Sequence, residues 1–176
     1  ENRDGNFGLL DLDTSFRPPD GIGLSIDAGP VTGGGYLQFD PENDRYAGVL
    51  QLQVGSLSIT AVGLLSTKLP GGRDGFSLLV IISGQFTPVQ LGFGFTLNGV
   101  GGLLGINRSM KAEPLGRVVR TGSLDGVLFP ADPVANAQRI ISDLRAIFPP
   151  TADRHVFGPM VRLGWGTPTL LTGDLG

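Results

Sequence analysis

The sequence has no cysteine, which excludes disulfide bonds, thiolate metal sites and cysteine nucleophiles. Charge is scarce as well: Asp, Glu, Lys and Arg make up 16% of the 176 residues, against about a quarter in an average domain. The net charge is -3, Lys68 and Lys111 are the only lysines, and basic residues form no cluster. We therefore expect no nucleic-acid partner.

Long apolar runs are also missing. No stretch approaches the roughly 18 uninterrupted apolar residues of a membrane-spanning helix, so we expect no transmembrane segment. The chain opens with residues 1–4, Glu-Asn-Arg-Asp, without an initiator Met or a signal-peptide pattern, and this predicts a processed product or a piece of a longer protein. The length suits a single domain over residues 1–176. We expect a soluble protein, and an exported or cell-surface location is compatible with the sequence.

Glycine and proline are abundant, at 29 and 13 residues, and they separate short apolar runs. Ile22, Leu24 and Ile26 alternate with small or polar residues, the period of a half-buried strand. Residues 70–75, Pro-Gly-Gly-Arg-Asp-Gly, are the strongest turn signal, and a short strand is predicted over residues 7–13. Repeated over the chain, this pattern predicts an antiparallel meander of about eight strands.

The middle of the chain is predicted as two strands and a loop. Residues 76–82 are nearly all apolar, which is typical of a strand covered on both faces, and Pro88 is predicted to end it. Residues 91–97 alternate large apolar side chains with Gly or Thr, which predicts a second strand with one apolar face. Residues 98–105 are predicted to be a glycine-rich loop.

A helical insertion is predicted over residues 110–148. Its clearest part starts with Asp132 as N-cap and Pro133 at the first helical position, and Pro149 stops it. Apolar residues recur there at a spacing of three and four, including Ile141 and Leu144, and they form one stripe. We expect this stripe to pack on one face of the sheet, which gives a β-dominated α+β fold.

Catalytic and metal-binding patterns are weak. His155 is the only imidazole and Asp153 precedes it by two residues, so a hydrolase acting on hydrophobic esters with His155 as base is the enzymatic hypothesis. No nucleophile elbow accompanies it, and a loop histidine is the simpler interpretation. The carboxylates of residues 40–44 read as a solvated turn rather than a metal site. The glycines of residues 99–105 lack the Lys-Ser/Thr of a phosphate loop, so no cofactor is expected.

The apolar surface carries the main functional hypothesis. Leu91, Phe93, Phe95 and Leu97 are predicted to form one apolar face, which residues 50–59 extend. Such a face must be covered by helix 132–148, by another chain or by an apolar ligand. We expect a non-enzymatic module for assembly, through a homo-oligomer or neighbouring β segments of a longer chain, or for binding a lipid-like ligand. The predicted ligand-binding residues are Leu91, Phe93, Phe95, Leu97, Ile141, Leu144 and Phe148.

Five stretches of the chain carry a resemblance to known proteins. They are residues 35–48, 75–82, 90–102, 128–133 and 157–160. These motifs are similar to those of a large, uncharacterised group of bacterial proteins, which are long, multi-segment β-rich chains with a domain of unknown function. The resemblance covers most of residues 20–175. It implies a piece of a larger bacterial protein, and it transfers no catalytic residue because the group has no established activity.

Overall fold

The computed structural model describes residues 21–113, 128–165 and 171–175, and these form one antiparallel sheet with one long helix. The sheet has eight strands whose spatial order is their order in the sequence. The strands are β1 (Gly21–Ala28), β2 (Val31–Asp40), β3 (Arg45–Val54), β4 (Leu57–Leu69), β5 (Arg73–Gly92), β6 (Phe95–Arg108), β7 (Pro150–Trp165) and β8 (Leu171–Leu175). The helix, α1, is Ala137–Ile147. The predicted β-dominated α+β class with an antiparallel meander is confirmed.

Short turns join the first six strands, and the four turns between β1 and β5 lie at the predicted glycine and proline signals. The turn between β2 and β3 contains a 3-10 helix, Pro41–Asn43, and ends at Asp44 in the left-handed region. Gly71 and Gly72 have positive φ in the turn between β4 and β5, where a side chain would be strained. The predicted strand over residues 7–13 and residues 114–127 of the predicted helical insertion lie outside the described residues.

The predicted strand boundaries over residues 87–97 and the predicted loop over residues 98–105 are wrong. Pro88 does not end a strand, because β5 continues to Gly92 and the pairing with β6 shifts register between Gln85 and Val89. Such an irregularity tolerates a proline, which has no N–H to donate to the ladder. Residues 98–105 belong to β6 and pair with β5 and β7 rather than forming a loop.

Phe93 lies in a tight turn and not within a strand. Gly92 pairs with Phe95, and the two residues between them, Phe93 and Gly94, have φ of 51° and 80°. Positive φ at both central residues is the requirement of a type I′ hairpin, whose twist matches that of the flanking strands. The alternation of residues 91–97 therefore marks the tip of the β5–β6 hairpin.

The helix packs on one face of the sheet, against β3 and β4. It begins four residues later than predicted: Asp132 accepts a hydrogen bond from the Ala135 N–H at 3.3 Å in a turn that leads into the helix. We call the sheet surface under α1 the helix-covered face. Its core side chains are Tyr36, Ala47, Val49, Val62, Leu64, Leu79, Ile81, Leu103 and Met160, and the helix contributes Ala137, Ile140, Ile141, Leu144 and Ile147.

Candidate interaction surface

The side of the sheet away from α1 is apolar from β2 to β7. Cross-strand partners point to the same face, so the register defines rows such as Leu37, Gly48, Gly63, Val80, Leu104 and Phe157. We call this surface the open face. It consists of Leu37, Phe39, Tyr46, Gly48, Leu50, Leu52, Ile59, Ala61, Gly63, Leu65, Leu78, Val80, Ile82, Gly84, Val100, Gly102, Leu104, Ile106, His155, Phe157, Pro159 and Val161.

The open face contains no Asp, Glu, Lys or Arg across these six strands. Tyr46 and His155 are its only hydrogen-bonding side chains, and both belong to the row at one end of the strands, which Phe39 also joins. An antiparallel sheet that faces water on one side normally alternates polar and apolar residues. The composition of this face is therefore that of a buried surface.

In the described residues the open face is nevertheless accessible. Phe157 is 80% exposed, Ile82 is 51% exposed, and Val100 and Leu104 are also exposed. A Cβ placed on Gly63, in the middle of the face, would meet no atom within 4 Å. Nothing in the described part of the chain covers this surface.

The extent of the open face exceeds what a monomer normally exposes. Six strands about 4.8 Å apart and four rows about 6.8 Å apart give a projected area of about 800 Å². The largest apolar patch of a typical monomer is about 300–600 Å². An area of about 800 Å² is what each partner contributes to a standard protein interface.

The predicted ligand-binding residues fall into two groups that the structure does not bring together. Ile141, Leu144 and Phe148 are buried in the core under the helix. Phe95 and Leu97 pair with residues of β7 and extend the open face, whereas Phe93 is 99% exposed at the hairpin tip. The helix therefore does not cover the apolar face of residues 91–97, because α1 packs on the opposite side of the sheet. Leu50, Leu52 and Ile59 do lie on the same open face, as the sequence pattern suggests.

His155 and Asp153 lie near the start of β7, and both are exposed. An open cavity of about 480 Å³ is lined by His155, Ser109 and Thr151. The Ser109 hydroxyl is 2.7 Å from that of Thr151, and Asp153 uses its backbone N–H to bond the Asn107 side chain. Within the described residues, no hydrogen bond joins His155 to a serine or to Asp153, so the chain as described has no assembled catalytic triad.

The described parts of the chain contain neither a cluster of metal ligands nor a membrane-spanning helix. No group of three His, Asp or Glu side chains is positioned to hold a metal ion there. No helix among those residues has the length and apolar character needed to span a bilayer.

Comparison with known proteins identifies the family but no activity. No curated protein and no solved structure shows significant similarity to the chain. A family model does match, and it spans residues 4–176, nearly the whole sequence. The chain therefore belongs to DUF6603, a family of unknown function.

Proposed function

We propose that the chain is a non-enzymatic β module that assembles by packing its open face against another apolar β-sheet. The observation that carries the proposal is the absence of any charged side chain from the four rows of the open face, which cross six neighbouring strands. Two sheets pack face to face at about 10 Å through such surfaces. The occupant is a sheet of a second copy or of a neighbouring segment in a longer chain.

A second sheet suits this surface better than a small apolar ligand. Ligand sites are concave, because they must bury most of the ligand surface. The open face is an extended sheet surface. Its depressions, such as the one at Gly63, are only as deep as the length of a neighbouring side chain such as Phe157. The cavity of about 760 Å³ beside the N-terminal end of α1 lies next to the helix, and its lining includes the polar residues Asn136, Gln138 and Arg139.

Sedimentation of the purified chain tests this proposal. We expect concentration-dependent self-association, since an uncovered apolar sheet pairs with its own copies when no other partner is present. Ile82→Glu places a charge on the open face and should weaken association by about tenfold or more, because a buried, unpaired carboxylate is costly. Ser142→Glu is the matched control, since Ser142 is exposed on α1, and this variant should associate like the wild type.

Two further measurements separate the outcomes. Circular dichroism shows whether Ile82→Glu keeps the wild-type fold, so that weaker association is not mistaken for unfolding. Native mass spectrometry detects lipid retained during purification. A wild-type chain that stays monomeric at every concentration contradicts the assembly proposal, and a monomer that carries lipid replaces it with apolar-ligand binding.

A further inference from the structure

Three arginines line a cavity of about 270 Å³ on the helix-covered face, at the C-terminal end of α1. Arg45 is the first residue of β3, Arg108 is the last residue of β6, and Arg145 lies in the last turn of the helix. Three separate elements of the fold therefore direct guanidinium groups to one place. The remaining lining is formed by Tyr46, Leu64, Leu65, Ser66, Pro149 and Pro150.

An irregularity in β6 turns Arg108 toward this cavity. Ile106 belongs to the open face, and regular alternation would place Arg108 on that face too. Asn107 instead has φ of 51°, and the pairing with β7 shifts between Ile106 and Arg108. The Asn107 amide donates to the Phe76 carbonyl at 2.8 Å, which holds this conformation. Such bulges re-aim a side chain, and asparagine tolerates the left-handed conformation.

Arg108 is buried with part of its hydrogen-bonding capacity unused. Its exposed fraction is 3%, and its Nη1 donates to the Phe148 carbonyl at 2.7 Å. The buried Nε has no hydrogen-bond partner among the residues that the structure describes. Buried polar groups are satisfied in the great majority of cases, so a buried guanidinium N–H without an acceptor calls for an explanation.

The cluster also has an excess of positive charge. Among the described residues, no carboxylate lies within salt-bridge distance of Arg45, Arg108 or Arg145, since the one ion pair there joins Lys68 to Asp44. Burial, together with the charges of Arg145 and Arg45, lowers the pKa of Arg108 to about 10.

The pKa of Arg145 is also lowered in these surroundings. Burial lowers its pKa, and Arg45 adds to this effect, whereas Asp40 and Tyr36 act in the opposite direction. The two carboxylate oxygens of Asp40 accept hydrogen bonds from the Asn43 amide at 2.9 and 3.0 Å. One carboxylate does not balance three guanidinium groups.

The partial negative charge at the C-terminal end of α1 explains only part of this accumulation of arginines. Cations near a helix C-terminus are favourable, but the terminus carries only about half a unit of negative charge. Backbone N–H groups of Ser109 and Lys111 already satisfy the carbonyls of Pro149 and Ile147. Arg108 is therefore the arginine that caps the terminus, and Arg45 and Arg145 remain available.

We propose that this cavity binds a small oxyanion, a phosphate or a carboxylate, through Arg45, Arg108 and Arg145. Guanidinium groups bind planar or tetrahedral oxyanions through paired, charge-assisted hydrogen bonds. An anion there would reduce the repulsion among the three cations. The three arginines lie at the C-terminal end of α1, and the cavity is also lined by Tyr46 and Leu65 from the end row of the open face.

Titration with inorganic phosphate and with acetate, each at an ionic strength matched with chloride, tests the site. Calorimetry and thermal unfolding should show saturable binding of at least one of them, since a ligand that binds only the folded chain raises its stability. Arg45→Gln and Arg145→Gln should each weaken binding by about tenfold or more. Arg139→Gln is the matched control, because Arg139 is an exposed arginine of α1 outside the cavity and carries the same charge.

The outcomes separate the sources of the ligand. Saturation by phosphate alone indicates a phosphate-bearing ligand, and saturation by acetate alone indicates a carboxylate. Circular dichroism confirms that the Gln variants are folded. If neither anion has an effect beyond that of chloride, or if Arg139→Gln weakens binding as much as Arg45→Gln, the site does not exist.

Discussion

Ile81 and Ile82 are consecutive residues of β5, and they show how different the two faces of this sheet are. Ile81 is 2% exposed and lies in the core under α1, whereas Ile82 is 51% exposed on the open face. Both residues are typical of buried strands. Both faces have the composition of a covered sheet surface, whereas the described part of the chain covers only one of them.

The polar residues of the two faces support the same conclusion. The helix-covered face includes Thr60, Ser66, Ser77 and Ser83, which are all buried. The open face has no such residues apart from one row at its end. A surface that met water would gain from polar side chains, so the almost entirely apolar composition of the open face is that of a dry contact surface.

Truncating one leucine to alanine on each face should give the largest difference in the free energy of unfolding. Leu144 is 0% exposed on α1 and Leu104 is 44% exposed on the open face. Leu144→Ala should lower the free energy of unfolding by about 2–5 kcal/mol, because it leaves a cavity between helix and sheet. Leu104→Ala should cost less than about 1.5 kcal/mol in the monomer, since half of the side chain is already in water.

Urea denaturation at a concentration where the chain is monomeric measures both leucine variants. The linear extrapolation gives the two free energies and their slopes. Equal losses for Leu144→Ala and Leu104→Ala would mean that the open face is covered within a single chain, which contradicts the exposure of Leu104.

Two glycines, one on each face, should give a smaller difference in stability when each is replaced by alanine. A Cβ on Gly101 would lie 2.6 Å from the Ile82 carbonyl oxygen and 2.7 Å from Met160 Cε, whereas a Cβ on Gly63 would meet open space. Gly101→Ala should destabilise the monomer by about 1–3 kcal/mol through overpacking. Gly63→Ala should be neutral or stabilising by up to about 1 kcal/mol, because glycine is unfavourable within a strand.

Thermal unfolding of the two alanine variants beside the wild type gives this comparison directly. A larger loss for Gly63→Ala than for Gly101→Ala would show that side chains oppose Gly63 in the monomer. The same result would contradict the open space at Gly63 and the accessibility of the open face.

The sequence predicts the meander and the helix because their signals are local. Turn residues such as those at 70–75 mark the hairpins, and the spacing of Ile141, Leu144 and Phe148 marks the helix stripe. The side of the sheet that the helix covers could not be predicted. Residues 76–82 are apolar at nearly every position, so their period of two does not distinguish a face under α1 from the face opposite it.

The arginine site was missed for a different reason. Arg45, Arg108 and Arg145 are far apart in the sequence, and Arg108 bonds to a carbonyl 40 residues away. The bulge at Asn107 that redirects Arg108 depends on contacts with β5 and β7, which a linear pattern does not contain. Residue spacing in the sequence can predict which side chains lie together on one helix or strand. This cluster combines residues of two strands and a helix, so its formation depends on the tertiary structure.

The smallest expected effect concerns Phe93, which the alternating pattern places on an apolar strand face. It is 99% exposed and has φ of 51°, a conformation that costs most residues about 1–2 kcal/mol. Phe93→Asn should therefore stabilise the monomer by up to about 1 kcal/mol, since Asn-Gly is a preferred type I′ turn. Phe93→Val is the control, because a β-branched residue is strained at positive φ and should be destabilising. If Phe93→Asn unfolds the chain in urea more readily than the wild type does, the phenyl ring makes a contact that its exposure excludes, and the face of residues 91–97 is a strand face after all.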